Sequence, residues 1–199
     1  MKLVSPAGVI LTGMGVAFVL FFRDALILSI SRPGRRFTSI HPWEIWLHPL
    51  KVLALAGWLW VAGATSLDRP LFSFLPAPAV AALGWAGAAM AVGGISFSCW
   101  AKMTLGAQFA SRVALHEAHL LVMTGPYLIT RHPIYTGVLL LLWGVVLALN
   151  SVAALLIWGM LFTSLMYLHT VAEEELLLER YGDLYRTYQR RVPRLLPFV

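Results

Sequence analysis

Arg131-His132-Pro133-Ile134-Tyr135-Thr136-Gly137 opens an apolar run, and Glu173-Glu174-Glu175 followed by Tyr181-Gly182-Asp183-Leu184-Tyr185 closes the next one. Between them the chain is hydrophobic except for a turn near Asn150-Ser151. A turn this short makes segments 133–149 and 151–171 antiparallel neighbours, so folding brings both polar clusters to one end of a hairpin. Three consecutive carboxylates at the end of a run of roughly 20 apolar residues have no packing role. Charge at membrane depth is costly enough to need a function or a partner. The two clusters are therefore read as the walls of one site.

Working outward, composition agrees with a membrane setting. Of 199 residues, 59% are hydrophobic and only 12% charged, whereas soluble domains carry about 25% charged residues. Apolar blocks at 7–30, 46–66, 77–101, 133–149 and 151–171 each approach the ~20 residues that cross a bilayer core, with ~17 as the lower limit. The sequence predicts an all-α integral membrane protein with about five transmembrane helices. Residues 1–104 form an N-terminal part of three spans. Residues 105–199 hold a loop, the transmembrane hairpin and a C-terminal helix. The first block is too long for a cleavable signal peptide, and Arg23-Asp24 stands where a small-residue cleavage site belongs.

Charge sets the expected orientation. Arg32, Arg35, Arg36, Lys51, Lys102, Arg112, Arg131 and the C-terminal arginines fall on one side of a five-span arrangement, leaving Lys2 and Arg69 on the other. The positive-inside rule then places the C-terminus and the site in the cytoplasm. The net charge of +6 faces anionic lipid. Nucleic acid is excluded as a partner, because the basic residues are dispersed among membrane loops. Oligomeric state is not legible.

Smaller features have bland readings. Gly84, Gly87, Ala88, Ala91 and Gly94 let helix backbones approach closely, the alternative being that Gly93-Gly94 makes room for a ligand. The single Cys99 reads as a packing residue. His116, Glu117 and His119 match no zinc signature, and no metal is expected. Trp43, Trp46, Trp100 and Tyr167 read as interfacial belt residues. After Glu175, Leu176, Leu177, Leu178, Tyr181, Leu184, Tyr185 and Tyr188 continue a helix with an apolar and aromatic stripe, suited to lying at the membrane interface.

Pro133 fits a first helical turn, where its missing N–H costs nothing. The N–H groups and positive dipole end of that turn suit a carboxylate or phosphate. The glutamates suit an ammonium or a sugar diol. S-adenosyl-L-methionine carries both kinds of group. The run from His119-Leu120-Leu121-Val122 through Gly125-x-Tyr127 and Arg131-His132-Pro133-x-Tyr135-x-Gly137 closely resembles isoprenylcysteine carboxyl methyltransferases. So do Glu173-Glu174, Tyr181-Gly182-x-x-Tyr185-x-x-Tyr188 and Arg191-Val192-Pro193. Phospholipid N-methyltransferases share a looser form of the pattern.

The resemblance covers residues 105–199 and implies a bundle of membrane helices with a cytosolic cofactor pocket and a lipid-facing tunnel. It implies cofactor binding by His119, Leu120, Leu121, Val122, Tyr127, His132, Pro133, Ile134, Tyr135 and Glu173; Glu174 is expected to join that set, and Arg131 and His169 are the expected catalytic residues. The expected acceptor is a lipophilic or prenylated substrate. Methylation of a lipid phenol or phospholipid amine, and a lipid reductase of similar fold, are the alternatives. A non-catalytic scaffold or transporter subunit is a further rival.

One departure bears on the acceptor. Family members acting on prenylcysteine carry an arginine four residues before the first motif glutamate, and this chain has His169 there. Histidine cannot reproduce a bidentate guanidinium fork, but a neutral histidine could act as a base toward a phenol or amine.

Overall fold

The computed structural model describes residues 37–40, 70–106, 114–116 and 121–195. The expected spans 7–30 and 46–66, together with Trp43, Trp46, His119 and Leu120, lie outside the described residues. In chain order the described elements are β1 (Phe37–Ile40), α1 (Ala77–Leu105), β2 (Ala114–His116), a 3-10 turn at Gly125–Leu128, α2 (Pro133–Leu149), α3 (Val152–Tyr181) and α4 (Asp183–Arg191).

The helices follow the expected blocks and then overrun two of them. α1 begins on Ala77 behind Pro76 and runs 29 residues to Leu105. α3 runs 30 residues, passing through wide π-type turns at Leu155–Phe162. Both are long and apolar enough to cross a membrane, whereas α2 is shorter. At 1.5 Å per residue, Glu173 stands about 32 Å from the start of α3, just beyond a hydrocarbon core of about 30 Å. The glutamates thus emerge where the apolar run ends.

The hairpin turn is built by local chemistry. Asn150 adopts the left-handed conformation (φ 51, ψ 46), which Asn tolerates better than most residues. Ser151 then caps α3, its Oγ accepting from the Ala154 N–H at 2.8 Å. Leu71 N–H and Phe72 N–H donate to the Asn150 carbonyl and Oδ1 at 3.0 and 2.7 Å, docking the connection before α1 onto this far end.

α1 and α2 pack through small residues, as the sequence predicts. Gly87 lies over Gly144 and Gly94 over Gly137, in an antiparallel pairing with seven-residue spacing on both helices. A methyl group at Gly87 would stand 2.5 Å from the Gly144 carbonyl oxygen. Ala88, Ala91 and Val145 fill the space between. A methyl group at Gly93 would meet nothing within 4 Å, so the close approach belongs to the Gly87/Gly94 face alone.

The helical architecture carries one small addition. β1 and β2 form an antiparallel two-stranded ribbon with Ser39 opposite Leu115 and Ile40 opposite Ala114. The ribbon joins the loop before the second expected span to the loop after α1. The C-terminal run departs from the expected continuous helix, because α4 does not extend α3 without a break. Gly182 breaks the run at φ 52, ψ −123, a region that favours glycine. Tyr185 and Tyr188 then pack into a core with Ala172, Leu176, Leu177 and Val192, against which Leu121 and Met123 also lie. Of the stripe, Leu184 remains exposed.

Candidate active site

The two polar clusters meet as the short turn requires, and a third segment joins them. Residues 192–195 return from α4 and lie as a strap along 130–136. Arg131 N–H donates to the Pro193 carbonyl at 2.8 Å and His132 N–H to the Arg194 carbonyl at 3.1 Å. Thr130 Oγ1 donates to the Arg194 carbonyl at 2.7 Å, and Thr136 Oγ1 to the Leu195 carbonyl.

Glu174 is the knot in this arrangement. It is only 2% exposed. Its Oε1 accepts from Arg131 Nε at 2.8 Å and lies 3.1 Å from His132 Nε2. Its Oε2 accepts from Gln189 Nε2 at 3.0 Å and Arg194 NH2 at 2.8 Å. One carboxylate thus gathers the start of α2, the end of α4 and the strap. A buried carboxylate with this many donors, two of them guanidinium groups, is compensated in the way a buried charge requires. An oxygen that already accepts from an arginine is an acceptor toward His132 too, so Nε2 is the protonated ring nitrogen there.

Both Glu174 oxygens are occupied by protein donors, so in this geometry the carboxylate holds the segments of the site together. Arg131 is likewise engaged: Nε binds Glu174, and NH1 donates to the carbonyls of Gln189 at 3.0 Å and Val192 at 2.5 Å. Its side chain thus ties the strap and the end of α4 to the start of α2.

Glu173 is placed differently. Its side chain is 34% exposed, and Oε2 has no hydrogen-bond partner among the described residues. Among the described residues, His132 Nδ1 lies 3.7 Å from it. His132 therefore stands between the two glutamates, fixed by Glu174 and facing Glu173. Tyr127 is buried in the 3-10 turn. Burial first, and the Glu173 carboxylate second, push its phenol well above the usual tyrosine range. Tyr188 Oη donates to the Tyr127 carbonyl at 2.5 Å and holds this turn against α4.

The start of α2 supplies the remaining walls. His132 precedes the helix without a side-chain cap, and Pro133 opens it. Thr136 N–H is bonded to the His132 carbonyl, which leaves the N–H groups of Ile134 and Tyr135 as the first-turn donors. The Tyr135 ring lies between two histidines, 5.8 Å from His132 and edge-on to His169 at 5.3 Å. His169 is 2% exposed. Leu121 and Val122 are half-buried, Leu121 against the C-terminal core. Thus His132, Tyr135, His169, Glu173 and Tyr127 lie near one another at the start of α2, which Pro133 and Ile134 open.

Four contributors were not singled out in the sequence: Thr130, Thr136, Gln189 and Arg194. Thr130, Thr136 and Arg194 act through the strap and Gln189 from α4, and nothing periodic announces a pairing of residue 131 with residue 193. The nearest signal is Pro193, which ends α4 and obliges the chain to run extended.

Against this geometry, comparison with known proteins is decisive for the family. The phospholipid methyltransferase profile matches residues 83–184, from the middle of α1 into α4. The chain belongs to the phospholipid methyltransferase family. Among curated relatives of this family, a protein-S-isoprenylcysteine O-methyltransferase from Schizosaccharomyces pombe is 29% identical over 101 residues, covering 50% of this chain and 43% of that one. Protein-S-isoprenylcysteine O-methyltransferase B from Arabidopsis thaliana is 33% identical over 108 residues, covering 50% of this chain and 51% of that one. The chain thus spans about half the length of these relatives.

A solved structure, the eukaryotic intramembrane Ras methyltransferase ICMT (isoprenylcysteine carboxyl methyltransferase), superposes with a TM-score of 0.67 at 23% identity. The match covers all of this chain and 70% of that one. The protein therefore shares the fold of an intramembrane methyltransferase.

Proposed function

We propose that this protein is a multi-pass membrane methyltransferase that transfers a methyl group from S-adenosyl-L-methionine to the carboxylate of a prenylated cysteine. Its site and C-terminus face the cytoplasm. The observation that carries the reading is the division between adjacent glutamates. Glu174 is wholly engaged in holding the site together, while the partly exposed Glu173 keeps an acceptor oxygen with no hydrogen-bond partner among the described residues, 3.7 Å from His132 Nδ1.

The residues present fit the cofactor. Glu173 Oε2 offers an acceptor for an ammonium or a ribose hydroxyl, and the first turn of α2 offers N–H donors for a carboxylate. The half-buried Tyr135 ring and the apolar Leu121 and Val122 suit a purine or the thioether chain. When bound, S-adenosylmethionine would supply an electrophilic methyl on a sulfonium, the electron pair of the broken C–S bond returning to sulfur.

The chain's own part is positional. Glu174 and the strap fix His132 and the α2 start, and Glu173 aligns the cofactor end. Tyr135 and His169 close the side toward the acceptor. A carboxylate oxygen is already a nucleophile at neutral pH, so no base is needed, and alignment with exclusion of water accounts for the rate. His169 then serves packing rather than proton removal.

The family's name favours a second reading, methylation of a phospholipid amine at the same cofactor site. Titration of the detergent-solubilised protein with S-adenosylhomocysteine by calorimetry tests the shared part of both. Saturable binding that Glu173→Gln weakens supports it, and absence of binding by a folded protein rejects it.

A further inference from the structure

Arg194 is the cation at this site with capacity left over. Its NH2 donates to Glu174 Oε2 at 2.8 Å, and its guanidinium lies 5.3 Å from the centre of the Tyr167 ring. Its Nε is buried yet has no hydrogen-bond partner among the described residues. An unmatched buried donor on a charged group is costly and calls for an explanation. The side chain as a whole is 24% exposed, so it reaches from the knot at Glu174 to the surface of α3. It does so past Tyr167, two residues from His169 and 44% exposed. Tyr185 Oη is the other unmatched donor near the knot, but it is enclosed in the core with Leu176, Leu177 and Val192.

Resting on the proposed carboxyl methylation, we infer that Arg194 is the specificity residue that binds the acceptor's carboxylate. Delivered by the strap rather than by α3, it supplies a guanidinium against the Tyr167 ring of α3, two residues along the chain from the buried His169. Glu174 fixes one edge of the fork, and the Tyr167 face holds its plane. A planar guanidinium held in this way keeps a preset direction for its remaining donors. The anion bound is the same oxygen pair that accepts the methyl, so binding weakens once the ester forms, which favours release of the product.

The test compares wild type with Arg194→Gln and Arg194→Lys, using N-acetyl-S-prenylcysteine as acceptor and its methyl ester as a competitive ligand. Loss of one charge-assisted hydrogen bond corresponds to about a ten- to hundredfold change. Arg194→Gln is expected to raise the acceptor KM by that factor, well beyond whatever loss of S-adenosylhomocysteine affinity the loosened Glu174 contact brings. It should also abolish the preference for acid over ester, a readout that a purely structural role would leave in place. Arg194→Lys should restore part of that preference.

An unchanged acid-over-ester preference in Arg194→Gln, with wild type active, overturns the Arg194 assignment alone. Equal loss of cofactor and acceptor affinity also overturns it, by making Arg194 a purely structural residue. A wild type that binds cofactor but turns over no carboxylate overturns the functional reading and this inference together.

Discussion

His132 Nε2 lies 3.1 Å from Glu174 Oε1, and this single contact divides the labour at the site. It fixes the orientation of the imidazole that opens α2, and it commits Glu174 to structure. Glu173, one residue earlier, keeps Oε2 without a hydrogen-bond partner among the described residues.

The first prediction separates the two glutamates. Glu174→Gln leaves Arg131 and Arg194 without their counter-charge, and breaking a buried ion pair in this way costs at least ~3 kcal/mol. A marked fall in melting temperature in detergent is expected, with weakened binding as a consequence. Glu173→Gln should leave melting unchanged and weaken S-adenosylhomocysteine binding about ten- to hundredfold, since a charged hydrogen bond contributes ~1.5–3 kcal/mol. The reverse pattern in melting and calorimetry would exchange the roles.

A second prediction concerns the helix contact behind the site. Gly94→Val must push α1 away from the Gly137 backbone, at a cost of about 1–3 kcal/mol or more. Because Gly137 is one turn from Pro133, activity should fall along with stability. Gly93→Ala, facing open space, is the matched control and should be nearly neutral. Thermal melts of both variants decide it.

His169→Arg is expected to lower activity. The sequence leaves open that an arginine there would restore a carboxylate clamp. In the structure His169 is buried with its ring edge-on to Tyr135, so a guanidinium must displace Tyr135 or be buried unpaired. Turnover and melting temperature should fall together. Undiminished turnover on a carboxylate acceptor would show that the position does reach substrate.

Alkaline stability follows from the buried tyrosines. Tyr127, Tyr185 and Tyr188 all have phenol pKa values pushed up, with burial the largest cause in each. Neighbouring carboxylates raise them further, Glu173 at Tyr127 and Glu174 at Tyr185 and Tyr188. A folded value above the unfolded value of about 10 means their stabilising contribution is complete below pH ~10 and is lost as pH rises through the folded values. Spectroscopic titration should show these three of the six tyrosines ionising only with unfolding. Free ionisation of all six near pH 10 in a folded protein would contradict the packing of α4.

How far the sequence foretold this site depends on which contacts are local. The short turn at Asn150-Ser151 and the apolar lengths on either side were enough to bring His132 toward Glu173, because both follow from hairpin geometry. The small-residue face of α1 was legible for the same reason. Which of two adjacent glutamates faces the ligand was not, since consecutive helical residues diverge by roughly 100° and the choice depends on where the strap lies. The strap itself pairs Arg131 with Pro193, a contact that no periodicity encodes. The aromatic stripe of α4 was visible, but a stripe facing protein and one facing lipid look alike in sequence.

The most direct measurement of the central claim is methyl transfer by the vesicle-reconstituted protein. Methyl-labelled S-adenosylmethionine is supplied with N-acetyl-S-prenylcysteine, a lipid phenol and phosphatidylethanolamine in parallel reactions. The predicted result is label in the prenylcysteine product alone, released as methanol by mild alkali as a methyl ester requires. Alkali-stable label in the phenol or the phospholipid, with none in the prenylcysteine, would contradict it.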